Sequence, residues 1–155
     1  MGIKIVQTKD IDTISEMREH FVMTDGQSVE MFCQELSHRV PTDSVFMLQA
    51  LKGDELYGFL IAQAVPGSTI VYILQAWNKG PMAVADEFFS RVVVWALANG
   101  KSLLRAMTSR NPDAFYRRFS FESVATIVEY EIDQNILKDL ARVTKESIKN
   151  GQQLP

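Results

Sequence analysis

The chain has 155 residues, 46% hydrophobic and 23% charged, a composition that suits one compact unit with a real core rather than a disordered or fibrous chain. A net charge of -3 and a pI near 5.4 argue against a general nucleic-acid binder, which needs Lys and Arg clustered over a broad face. The single cysteine, Cys33, excludes an intrachain disulfide and a thiolate metal site, and no apolar run approaches the ~18 residues of a membrane helix, so the chain reads as soluble and intracellular.

In chain order, residues 4–7 form a short apolar run, and Asp10 is placed to cap a helix whose Ile11, Ile14, Met17 and Phe21 share one stripe. Ser28 is a second N-cap, before Val29, Phe32, Cys33 and Leu36 at helical spacing, and Pro41 stops that helix. Cys33 on this stripe reads as a buried, inert thiol. His20 and His38, near the helix ends, have no acidic or thiol partner at ligand spacing, so they read as surface or C-terminal-turn histidines and no metal site is expected.

Residues 45–51, 56–65 and 69–77 are strand-like runs separated by Lys52-Gly53-Asp54-Glu55 and Pro66-Gly67, which predicts a three-stranded antiparallel meander. The runs are almost continuously apolar, so helices should cover both sheet faces. After Asn78-Lys79-Gly80-Pro81, residues 83–98 predict a helix with Val84, Phe88, Val92 and Trp95 on one side, Pro81 in its first turn and Asn99-Gly100 as its stop. Residues 102–107 follow as a strand joined in parallel through a right-handed crossover. A short helix at 112–119, a strand to 132 and an amphipathic helix over 135–150 complete the pattern, which sets residues 1–132 as the main domain and 133–155 as an appended helix and tail.

The order is that of an α/β mixed sheet. Three local features sharpen it: Tyr57-Gly58-Phe59 in the meander, the strand-loop-helix unit over 69–99, and Asn111-Pro112-Asp113-Ala114-Phe115-Tyr116 followed by Phe119-Ser120-Phe121. Together they resemble the GNAT superfamily of acyl-CoA N-acyltransferases, in a short phage or bacterial form with a degenerate pyrophosphate loop. The resemblance implies a GNAT-like mixed sheet, an antiparallel meander plus a parallel crossover, with helices on both faces and an extra C-terminal helix.

It also implies an acetyl-CoA-dependent transfer to an amine. Leu74, Gln75, Ala76 and Trp77 would line the pantetheine arm; Lys79, Gly80, Met82 and Ala83 would meet the diphosphate at a helix N-terminus, with Asn111 nearby. Tyr116 matches the family tyrosine that protonates the departing thiolate, a role a phenol with a pKa near 10 fills at neutral pH. Residues 69–77 hold no Asp, Glu or His, so a general base must be a water chain or come from elsewhere; Gln75 can orient a water.

The family's pyrophosphate loop usually reads R/Q-x-x-G-x-G/A, whereas Asn78-Lys79-Gly80-Pro81-Met82 has one glycine, and Ser120 stands where the family has Gly. A basic run of Arg91, Lys101, Arg105, Arg110, Arg117 and Arg118 could offset the lost phosphate donors or simply be a solvated surface. Two readings stay open: a cytoplasmic acetyltransferase, and a non-catalytic GNAT-fold module, for example a bacteriophage virion or assembly component, in which the C-terminal helix contacts a second copy or a partner.

Overall fold

A computed structural model of the chain describes residues 2–23, 28–106 and 119. The chain divides into two compact units, Met1–Pro112 and Asp113–Pro155. The described elements all belong to the first. The sequence-based elements beyond residue 107, the boundary at 132/133, and residues Asn111 and Tyr116 lie outside the described residues.

The first unit runs β1 (Lys4–Thr8), α1 (Thr13–Met17) extended by a 3-10 turn (Arg18–His20), α2 (Val29–Arg39), β2 (Val45–Lys52), β3 (Glu55–Ala64), β4 (Ile70–Asn78), α3 (Met82–Ala98) and β5 (Leu103–Ala106). The sheet order is β1-β2-β3-β4-β5. The first three pairings are antiparallel and β4 pairs with β5 in parallel. This is the mixed sheet expected from the sequence, with the meander bounds reproduced to within about a residue.

Helices cover both faces, as the continuous apolar runs require. One core layer joins Phe46, Leu48, Leu60, Ala62 and Val71 to Val84, Phe88 and Val92 of α3. The other joins Met47, Phe59 and Ile61 to Ile14 and Met17 of α1 and Leu36 of α2. Alternate residues of β2 and β3 thus serve opposite layers, which is the period-two geometry of a strand buried on both sides.

Two helix starts differ from the sequence reading. Asp10 does not cap α1 directly: its Oδ1 accepts from the Asp12 N–H at 3.0 Å, and its carbonyl accepts from both Thr13 N–H and the Thr13 hydroxyl. That local Asx turn delays the helix to Thr13 and leaves Ile11 exposed. Pro81 is the N-cap of α3 rather than a first-turn residue, with ψ at 156°. Ser28 caps α2 as expected, its hydroxyl accepting from Met31 N–H at 3.4 Å. Gly100, at φ 72°, supplies the left-handed turn after α3 that a residue with a side chain rarely adopts.

Candidate active site

The site is organised by an irregularity in β4. Ile61 of β3 faces Gln75, yet the next residue, Ala62, faces Ile73. Leu74 is therefore an extra residue, a β-bulge. A bulge breaks the two-residue alternation of side chains. Val71 and Ile73 belong to the layer beneath α3, whereas Leu74 and Trp77 join the layer beneath α1 and α2. Gln75 turns the same way, toward Val22 in the segment that follows the 3-10 turn.

On the other side of β4, pairing with β5 runs from Ile70 opposite Leu103 to Ile73 opposite Ala106, the last described residue of that strand. On the β3 side, pairing continues through Ala76 and Trp77 to Asn78. Among the described residues, no strand pairs with residues 74–78 on the β5 side. This segment carries Leu74, Gln75, Ala76 and Trp77, the four residues assigned to a pantetheine arm.

The side chains of Gln75 and Trp77 are already engaged. Gln75 is buried, and its amide grips the backbone of Val22 at both ends: Val22 N–H donates to Oε1 and Nε2 donates to the Val22 carbonyl, each at 2.9 Å. That leaves the amide poorly placed to orient a water, contrary to the sequence reading. Trp77 stacks on His20, with ring centroids 3.6 Å apart and planes 10° from parallel.

The strand then enters a tight loop. Lys79 N–H donates to the Tyr57 carbonyl at 2.9 Å. The Asn78 side chain braces the turn from within, accepting from Gly80 N–H at 2.8 Å and donating to the Pro81 carbonyl at 3.0 Å. A Cβ on Gly80 would sit 3.1 Å from Asn78 Oδ1 and 3.3 Å from Ile3 Cδ1, so the glycine serves close packing rather than an unusual φ. With Gly80 N–H used and Pro81 lacking one, the donors at this end are those of Met82 and Ala83, which sit exposed in the first turn of α3, where a helix leaves its N–H groups without intrahelical acceptors.

Gly58 has a related role. A Cβ there would meet the Trp77 carbonyl at 2.9 Å, so only glycine lets β3 lie this close to the end of β4. The adjoining Tyr57 is a bulged residue of β3, left over where Ala50 faces Gly58 and Leu51 faces Leu56. Its ring lies beneath two ammonium groups, Lys79 at 4.7 Å and Lys52 at 5.7 Å from the centroid. Lys79 Nζ is also 2.7 Å from Glu55 Oε1, and that hydrogen bond raises its pKa above the ordinary lysine value. The positive charge assigned to phosphate recognition is thus shared with a carboxylate.

The described members of the basic run are all structural. Arg91 binds Glu87 at 2.8 Å and the Ile5 carbonyl at 3.3 Å, Lys101 donates to the carbonyls of Val65 and Ser68, and Arg105 donates to the Tyr72 hydroxyl at 3.3 Å. Cys33 lines a crevice of about 390 Å³ between α1 and α2, close to the Arg18–Glu30 ion pair. Cys33 is half-buried rather than buried as expected, and that partial burial pushes its thiol pKa up, against a smaller downward pull from Arg18. Among the described residues, no three His, Cys, Asp or Glu side chains group as a metal site, and no helix is long and apolar enough to cross a membrane.

His20 closes the 3-10 turn, as a C-terminal-turn histidine is expected to, and the fold also stacks its imidazole on Trp77, 57 positions later in the chain. A His-Phe-Val sequence after a short helix gives no hint of which strand will receive it.

The mixed sheet of the described residues, antiparallel from β1 to β4 and parallel between β4 and β5, is the one expected of the GNAT fold, and comparison with solved acetyltransferase structures agrees in fold. The chain is similar to the aminoglycoside acetyltransferase AAC(6')-Iy bound to a CoA-acetylneamine bisubstrate analogue, with a TM-score of 0.64 and 15% identity over 86% of this chain and 99% of that one. It is similar to a predicted acetyltransferase with acetyl-CoA from Clostridium acetobutylicum, with a TM-score of 0.66 and 12% identity over 84% and 96% of the two chains. It is also similar to the aminoglycoside 6'-N-acetyltransferase AAC(6')-Ih from Acinetobacter baumannii, with a TM-score of 0.64 and 12% identity over 85% and 99%. At these identities the likeness is one of fold. No family model matches the chain, and no curated protein matches it by sequence.

Proposed function

We propose that the protein is an acetyl-CoA-dependent N-acetyltransferase acting on an amine in the cytoplasm. The observation that carries this reading is the bulge at Leu74, in a strand that runs on to Asn78 and leads into the exposed first turn of α3. A strand edge that ends at helix donors suits a ligand with an amide-bearing arm and an anionic tail. Acetyl-CoA has both.

In this reading the backbone of residues 74–77 pairs with the amides of the pantetheine arm. The N–H groups of Met82 and Ala83 and the positive end of the α3 dipole take the diphosphate. Gly80 keeps the loop close to the strand, and Lys79 adds charge when it turns from Glu55. Asn111 is assigned to the same ligand. The thioester carbon then lies near the bulge, where the neutral amine attacks it; the C–S bond breaks, the thiolate takes the Tyr116 proton, and the proton leaving the nitrogen restores the phenol.

Calorimetric titration with acetyl-CoA, CoA and pantetheine tests the reading. Micromolar binding of the first two, much weaker for pantetheine, is expected, since pantetheine lacks the diphosphate. No heat or thermal stabilisation with millimolar acetyl-CoA would remove the enzyme reading and leave a scaffold without cofactor.

A further inference from the structure

We propose that Arg105, held in place by Tyr72, binds a carboxylate on the acceptor, so that the substrate is an amine that also carries an acid. This names a substrate class for the acyltransferase reading and rests on it. Val71 and Ile73 of β4 and Leu104 of β5 face the layer beneath α3. Tyr72 and Arg105 alternate with them and stand opposite each other in the parallel pair, so both side chains lie on the other face of the sheet. Gln63, opposite Tyr72 on β3, marks the same face, since its Oε1 accepts from Arg39 at the end of α2 at 3.0 Å.

Charge sets Arg105 apart. Arg18, Arg39 and Arg91 each lie beside a carboxylate, that of Glu30, Glu35 and Glu87 in turn. Among the described residues Arg105 has no such partner. It is half-buried, its Nη1 donates to the Tyr72 hydroxyl at 3.3 Å, and its guanidinium carbon lies 5.8 Å from the centroid of the Tyr72 ring. A neutral phenol orients a guanidinium without neutralising it, and this bond uses only a fraction of the donors that an arginine carries. Partial desolvation of a cation with no counter-charge is unfavourable, whereas a planar fork of unused N–H groups fits the two oxygens of a carboxylate. Within the same basic run, Arg91 meets Glu87 and Lys101 meets two backbone carbonyls, so Arg105 is the described member whose charge is left for a ligand.

Its place on the strand fits an acceptor. The α3 side of the sheet is filled by Val84, Phe88 and Val92. On the opposite side, Leu74 and Trp77 of β4 pack beneath α1 and α2, whereas Tyr72 packs in neither apolar layer. The face is thus apolar from the bulge onward and polar just before it. Tyr72 precedes the bulge at Leu74 by two residues, about 7 Å of strand. An acceptor whose amine meets the acyl carbon at the bulge can therefore rest an acid about 7 Å away on Arg105.

The test uses three acceptors of similar length that differ at the far end: δ-aminovalerate, which is anionic there, n-pentylamine, which is neutral, and cadaverine, which is cationic. The extended chain of δ-aminovalerate is comparable to the span from the bulge to Arg105. With release of the CoA thiol as readout, kcat/KM in wild type should fall in that order. In Arg105→Met the ratio of kcat/KM for δ-aminovalerate to that for n-pentylamine should drop about 10- to 100-fold, through KM rather than kcat. Arg105→Lys, which keeps the charge but not the fork, should recover part of the ratio, and Tyr72→Phe should lose part of it. A wild type that prefers n-pentylamine or cadaverine overturns the assignment without recourse to any variant. So does an equal fall for all three acceptors in Arg105→Met, an unchanged ratio, or a wild type that binds acetyl-CoA and transfers to none of the three. Failure of the wild type to bind acetyl-CoA would remove the acyltransferase reading itself, and this inference with it.

Discussion

Gln75 and Val22, 53 positions apart, are joined by two hydrogen bonds of 2.9 Å that satisfy both the N–H and the carbonyl of Val22. The pairing imitates one rung of a sheet ladder, with a side-chain amide standing in for a strand. It fixes the segment after the 3-10 turn to the bulged strand, and so fixes where His20 and Phe21 can lie.

Replacing Gln75 by Leu keeps roughly the same volume and removes both partners. Two backbone groups of Val22 then lose their bonds in a partly buried setting, at about 1–3 kcal/mol for each group that water cannot reach. The expected result is a lower urea midpoint with an unchanged slope, together with faster proteolysis between α1 and α2. A midpoint equal to wild type would show that Val22 is held by other contacts.

Gly58→Ala should be costly for a different reason. The added methyl meets the Trp77 carbonyl at 2.9 Å, a backbone atom that cannot swing aside. The strands must separate or the bulge must shift, at about 1–3 kcal/mol. Gly2→Ala, with nothing within 4 Å of the new Cβ, is the matched control and should melt like wild type. If both variants melt alike, the close approach of β3 to β4 is not what requires glycine.

These two relationships show how unevenly the sequence reveals the molecule. The meander and the crossover could be read because apolar periodicity and turn residues are local, and the expected runs 45–51, 56–65 and 69–77 end within a residue of the observed strands. The bulge could not. Residues 70–78 contain no glycine to announce it, and the parity change after Ile73 depends on which β3 residues happen to face it. Gln75 could be recognised as a polar residue on a buried strand, but its partner could not, because Val22 is apolar and offers only backbone. The stacking of His20 on Trp77 is hidden for the same reason: its partner is chosen by tertiary packing.

Cys33 offers a test of the α1–α2 side. Its pKa is raised from the ordinary 9.0 because burial disfavours the thiolate. Native protein should therefore react with iodoacetamide more slowly than a peptide thiol at pH 8, and unfolding in urea should remove the difference. The linkage has a definite sign. A raised folded-state value means the contribution to stability is complete below pH 9.0 and declines as pH rises through the folded value. Alkylation of native protein as fast as of a free peptide would show that the thiol is not shielded.

The last prediction concerns the charge at the end of β4. Lys79 bonds to Glu55 at 2.7 Å and lies over Tyr57, so a diphosphate arriving at the first turn of α3 must compete with a carboxylate for the ammonium. Both groups are largely exposed, and water and salt screen such a pair strongly. Its raised pKa keeps Lys79 charged at neutral pH, with or without CoA, so the competition is one of geometry and not of titration. Glu55→Gln releases the ammonium without changing the shape of the turn. CoA affinity should rise about threefold at low ionic strength, and the gain should vanish in high salt. Lys79→Met should weaken CoA by a similar factor with the same salt dependence, and pantetheine, which has no diphosphate, should respond to neither change. A shift of equal size for pantetheine would place Lys79 near the arm instead of the phosphates.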